Sequence, residues 1–109
     1  MDNLTATSYL CTAICSSFYP DDRAVEIAIF NANMLATDEA IPRDPNIFKI
    51  AVSLVRGYVE SSRSEGGVSV GVSREAVEDA IKAWAKDYGV DEEEIALKPK
   101  TIENGSLMR

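Results

Sequence analysis

Three local signals follow one another without a gap in residues 61–89, SSRSEGGVSVGVSREAVEDAIKAWAKDYG, and they limit what the chain can become more than any other stretch. Ser61 to Gly67 is polar and ends in Gly66-Gly67, a pair that costs backbone entropy to order and reads as a flexible lead-in. Val68, Val70 and Val72 alternate with Ser69, Gly71 and Ser73, which puts three branched side chains on one face of a short strand. Ser73 offers its hydroxyl as a helix cap, with Glu75 favoured in the first turn by the helix dipole. Val77, Ala80, Ile81, Trp84 and Tyr88 recur at three- and four-residue intervals, a stripe that predicts a helix over 74–88 with Trp84 mostly buried. Gly89 stands where a left-handed residue ends such a helix, and Val90 is placed to fold back onto it in a Schellman close.

A lone strand of about six residues cannot satisfy its own backbone donors and acceptors, so it needs a partner edge. The sequence holds no second strand of similar clarity. Two readings stand open: the 61–73 segment folds back as an irregular loop over its own helices, or it reaches an edge on another subunit.

With 109 residues the chain has room for one domain and a modest core. Its 18 acidic against 11 basic residues give a net charge of -7, which favours solubility and repels phosphate backbones. No apolar run has membrane-spanning length, and Met1-Asp2-Asn3 lacks the basic start and apolar centre of a signal peptide. The expectation is a product assembled in the cytoplasm, without a membrane.

Leu4, Thr7, Cys11, Ile14 and Phe18 keep helical spacing, widened by Leu10 and Cys15, and predict a first helix from about Thr5 to Phe18. Tyr19-Pro20 ends it, and Asp21 or Asp22 caps a second helix near 22–33. The apolar residues Val25, Ile27, Ala28, Ile29, Ala32 and Leu35 occupy more than one stripe, so this helix is expected to be buried on two sides. Asn33 tolerates left-handed geometry and marks its stop. Residues 36–43 read as a connection, and Asp44-Pro45 as the capped start of a third helix over 45–61, with Ile47, Ile50, Ala51, Leu54, Val55 and Tyr58 facing inward. Gly57 weakens its last turns unless close packing compensates. Asp91 with Glu94 suggests a capping box for one further turn through Leu97, closed by Pro99. The tail KTIENGSLMR carries Ile102, Leu107 and Met108 around a turn at Asn104-Gly105, more large apolar groups than a solvated terminus needs, so it is read as a docking tail over 98–109. The body, residues 1–97, is thus a mainly α bundle of about four helices with an extended arm before the last long one.

Little in the chain points to catalysis. It has no histidine, which removes the usual general base and the Ser-His-Asp and Cys-His arrangements. Cys11 and Cys15, four residues apart on one helical face, have neither redox nor zinc spacing and read as small buried hydrophobes. Gly66-Gly67 and Gly71 lack the preceding strand and following lysine of a phosphate-binding loop. The acidic run 91–94 lacks the spacing of a calcium loop and reads as a solvated helix start. No catalytic residue, cofactor or metal ligand is expected.

The order of several helices, the segment Ser64-Glu65-Gly66-Gly67-Val68-Ser69-Val70, a helix ending in Lys86-Asp87-Tyr88-Gly89 and the tail Lys100-Thr101-Ile102-Glu103-Asn104 resembles small head-tail connector proteins (head completion, neck adaptor) of tailed phages and prophages. The resemblance implies a structural virion protein of the neck, a homo-oligomeric ring between portal and tail-side neck proteins through which DNA passes. On that reading Gly66, Gly67, Val68, Val70 and Val72 form the subunit-interface arm, and Ile102, Leu107 and Met108 the docking tail. An arm without an internal partner gains one from the next subunit, and an acidic wall lets DNA slide without holding it. The alternative is a small acidic regulatory module, antitoxin-like, that binds a partner's strand along the 68–72 edge.

Overall fold

The structure, a computed structural model, describes residues 1–64 and 73–95. They form five helices: α1 (Asn3–Ile14), α2 (Asp22–Asn31), α3 (Pro45–Ser64), α4 (Arg74–Tyr88) and the single turn α5 (Glu92–Ile95). The fold is mainly α, a bundle of four principal helices as the periodicity predicts. The strand expected at 68–72 and the tail at 98–109 lie outside the described residues.

Local chemistry sets most of the boundaries. The Asp2 carboxylate accepts the Thr5 N–H at 2.8 Å and starts α1, Asp44 accepts the Asn46 N–H at 2.9 Å, and the Ser73 hydroxyl accepts the Ala76 N–H at 3.2 Å. Gly89, at φ 68°, ends α4, with the Val90 N–H returning to the Ala85 carbonyl at 2.9 Å and the Gly89 N–H to Lys86 at 3.4 Å, the expected Schellman close. Asn33, at φ 64°, turns the chain out of α2.

Four boundaries shift from expectation: α1 begins two residues early and α2 ends two early, at Asn31, and two shifts are larger. The first helix stops at Ile14, four residues short of Phe18, because the Thr12 hydroxyl donates to the Phe18 carbonyl at 2.9 Å and draws the chain back across the helix end. Phe18 still packs inward, stacked on Tyr58 at 4.6 Å. The third helix continues to Ser64, so residues 61–64 belong to it and not to the arm. Buried Val59 and the Arg56–Glu78 pair hold its late turns in spite of Gly57, whose missing side chain faces open space.

The burial pattern departs from expectation most clearly in α2. α1 and α3 each pack against the other three principal helices. Of its predicted stripe α3 buries Ile47, Ile50, Ala51 and Val55, leaves Leu54 and Tyr58 partly buried, and buries Phe48, Val52 and Val59 besides. α2, expected to be buried on two sides, buries only Val25 and Ile29, against Ile50, Leu4 and Leu54. In α4 the inner line is Val77, Ile81 and Ala85, which leaves Trp84 and Tyr88 partly buried at its edge. Cys11 and Cys15 are buried and free, and Phe48 stacks on Tyr88 at 5.3 Å.

The connection after α2 is itself structural. Its backbone accepts the Asn3 N–H at Asp38 (2.9 Å) and the Leu4 N–H at Ala36 (3.1 Å), while the Ala40 N–H donates to the Met1 carbonyl (2.9 Å). Two of the orphan donors at the start of α1 are thereby satisfied. The buried Asn3 side chain adds a bond to the Leu35 carbonyl at 2.8 Å.

Candidate functional site

Helix α2 exposes two large apolar side chains on an outer face that it shares with Arg23 and Glu26. Val25 and Ile29, four residues apart, face the bundle, so Ile27 and Phe30 face away, and they are 55% and 65% exposed. Leu35, 56% exposed, extends this surface past the Asn33 turn, while Met34 packs inward against the Val25, Ile29 and Ile50 cluster. A groove of about 410 Å3 runs between Phe30, Leu35 and Thr37, and another of about 640 Å3 between α2 and the Asn46, Lys49 and Ser53 side of α3.

A second apolar surface lies where α1, α4 and the 40–44 segment meet. Tyr9 and Ile41 are exposed there, over Ala13, Leu10 and the partly buried Trp84 and Tyr88, around a groove of about 440 Å3. Burial raises the Tyr88 phenol above its ordinary value, and Asp87 adds to the effect, so the hydroxyl stays neutral. Arg43 reaches Asp87 at 3.6 Å along the rim. This groove shares no residue with those beside α2.

Ionic contacts tie elements together. Arg56 Nε and Nη2 donate to the two Glu78 carboxylate oxygens at 3.0 and 2.8 Å, a bidentate, largely buried pair between α3 and α4. Lys49 Nζ lies 2.7 Å from Glu94 Oε1, and the other Glu94 oxygen accepts the Asp91 N–H at 3.3 Å, the side-chain half of the predicted capping box. Both contacts hold the Glu94 carboxyl below its ordinary value. Burial pushes the Cys11 thiol up to about 12, which leaves it protonated and unreactive. Among the described residues no group of His, Cys, Asp and Glu converges to hold a metal ion, and no helix is long and apolar enough to cross a membrane.

The residues expected from sequence to form the interface, Gly66, Gly67, Val68, Val70 and Val72 with Ile102, Leu107 and Met108, all lie outside the described residues. What the sequence reading missed is the outward face of Ile27, Phe30 and Leu35 and the Tyr9–Ile41 surface. The signal in the sequence is the excess of apolar residues in α2 over one stripe, which the structure turns outward and not into a second packing face.

The described residues form a small helical bundle with exposed apolar side chains at two separate places on its outside. The chain belongs to a family of unknown function, DUF6706, whose model matches residues 4–109. No curated protein and no solved structure matches it.

Proposed function

We propose that the protein is a structural assembly subunit of the head-tail connector type, which forms a homo-oligomeric ring in the neck of a tailed phage or prophage. The observation that carries the reading is the pair of unshared apolar surfaces on one bundle, Ile27-Phe30-Leu35 on α2 and Tyr9-Ile41-Trp84 between α1 and α4. A ring built by rotation needs two different, complementary patches on each subunit, whereas a two-fold dimer needs one patch that matches itself. The α2 face of one subunit seats in the α1–α4 groove of the next. Val68, Val70 and Val72 add a strand contact to the same neighbour. Portal and tail-side neck proteins bind the two rims, and the net charge of -7 suits a conduit that DNA passes without sticking.

Native mass spectrometry of the wild type and of Phe30→Asp and Ile41→Asp tests this. The wild type is expected to give a closed ring, alone or on addition of its portal. Each variant should be monomeric with an unchanged helical circular dichroism spectrum. An equimolar mixture of the two variants should give a heterodimer, since one intact patch of each kind remains. A wild-type chain that stays monomeric with and without portal, or a symmetric dimer lost in both variants and not restored by mixing, overturns the proposal.

A further inference from the structure

A third groove, of about 430 Å3, lies on the outward side of α1 where the chain turns into α2. Its walls are the rings of Tyr9 and Tyr19, the latter 77% exposed, together with Pro20 and Ala13. Ser8, the one residue with a buried side-chain oxygen lacking a hydrogen-bond partner among the described residues, lines it too. Asp22 stands at its rim, beside Asp21, and both carboxylates are exposed and make no ion pair with a described residue. Asp21 occupies the cap position of α2 without making the side-chain cap bond.

Two tyrosine rings around an apolar slot, with carboxylates at one end, match a short extended peptide in which a proline is flanked by cations. The pyrrolidine ring packs between the phenols, the fixed φ keeps the ordering cost low, and the lysines meet the acids. The chain contains one such sequence, Lys98-Pro99-Lys100. It opens a segment of opposite charge to the body: residues 96–109 hold Lys98, Lys100 and Arg109 against Glu103, a net +2, which leaves -9 on residues 1–95.

We infer that the Tyr9–Tyr19 groove receives the Lys98-Pro99-Lys100 segment of a neighbouring copy, an inference that rests on the self-assembly proposed above. Ile95, the last described residue before that segment, is not among the residues lining the groove. Pro99 lies four residues beyond Ile95, a reach of at most about 14 Å. Ile95 is buried beside Arg56, Glu78 and Ile81 on the α3–α4 side, and neither α3 nor α4 contributes a residue to the tyrosine groove.

A full-length receptor whose own segment is disabled by Lys98→Glu, Pro99→Ala and Lys100→Glu is titrated into a fluorescein-labelled peptide of residues 96–109, with anisotropy as the readout. Saturable binding is expected, at least tenfold weaker when the receptor also carries Tyr19→Ala or Asp22→Lys, and tenfold weaker for a peptide with Pro99→Ala. Restoring the Asp22→Lys loss with a peptide carrying Lys98→Glu and Lys100→Glu would identify the charge contact. Circular dichroism melting checks that each receptor is folded. Absence of binding at millimolar receptor, or binding indifferent to Tyr19 and Asp22, overturns the inference. The ring is read separately, by mass: a chain that binds the peptide but never assembles refutes the ring and leaves this contact standing, and a ring that forms while the peptide ignores the groove does the reverse.

Discussion

Two glycines show how much one position's surroundings decide. Gly89 sits at φ 68°, where a side chain is strained whatever the space, and its N–H closes α4. Gly57 lies inside α3 with ordinary helical geometry and nothing within 4 Å of where a Cβ would stand. Gly89→Ala should therefore destabilise the fold by about 1 kcal/mol, while Gly57→Ala should stabilise it by about 0.5–1 kcal/mol, through helix propensity and a less variable unfolded chain. Urea melts of the two variants, run against the wild type, check the opposite signs. Residues of this kind were legible in the sequence because their cause is local. The Ser73 cap, the Asp44-Pro45 start, the Asn33 exit and the Gly89 close each follow from the chemistry of a few neighbours.

Helices were harder to orient than to find. Periodicity gave α2 and α3 their approximate spans, yet it could not say which had neighbours on several sides. α2 carries enough apolar residues for two-sided burial but has packing on one, and Phe48 and Val52 of α3, outside the predicted stripe, are buried by α1 and α4. That information is tertiary: a stripe records apolarity, not what covers it. The clamp of residues 36–40 on α1 was invisible for another reason, since its bonds run between backbone groups that every residue carries. At this scale α5 gives a pH prediction. Lys49 and the Asp91 N–H lower the Glu94 pKa from 4.5, so the contact adds stability above that value and loses it as pH falls through the depressed one. Hydrogen exchange of the α5 amides should accelerate, relative to α4, as pH drops below 4.5, after correction for intrinsic rates. Lys49→Met should remove most of that acid dependence, and an unchanged profile would show that the pair does not hold the turn.

For the whole molecule, assembly and folding should be separable. Val70→Asp places a charge on the apolar side of the expected arm, and the prediction is an unchanged helical spectrum with weakened self-association in sedimentation velocity. Loss of both together would place Val70 in the monomer's own core. The exposed apolar surfaces of the bundle were not legible at this scale. The arm and tail read from composition lie outside the described residues, and an outward-facing Phe30 or Tyr9 differs from a core aromatic only once the bundle has closed. The extension of α3 to Ser64 carries a mechanical consequence. Twenty residues of unbroken helix make a rod of about 30 Å that resists stretching. Its far end begins at Asp44 and Ile47, in the wall of the α1–α4 groove, and the stretch 65–73 is tethered directly to its near end. A pull on that stretch by an adjoining subunit would be borne along the helix axis to the groove, so load on one contact of a subunit would be felt at its other.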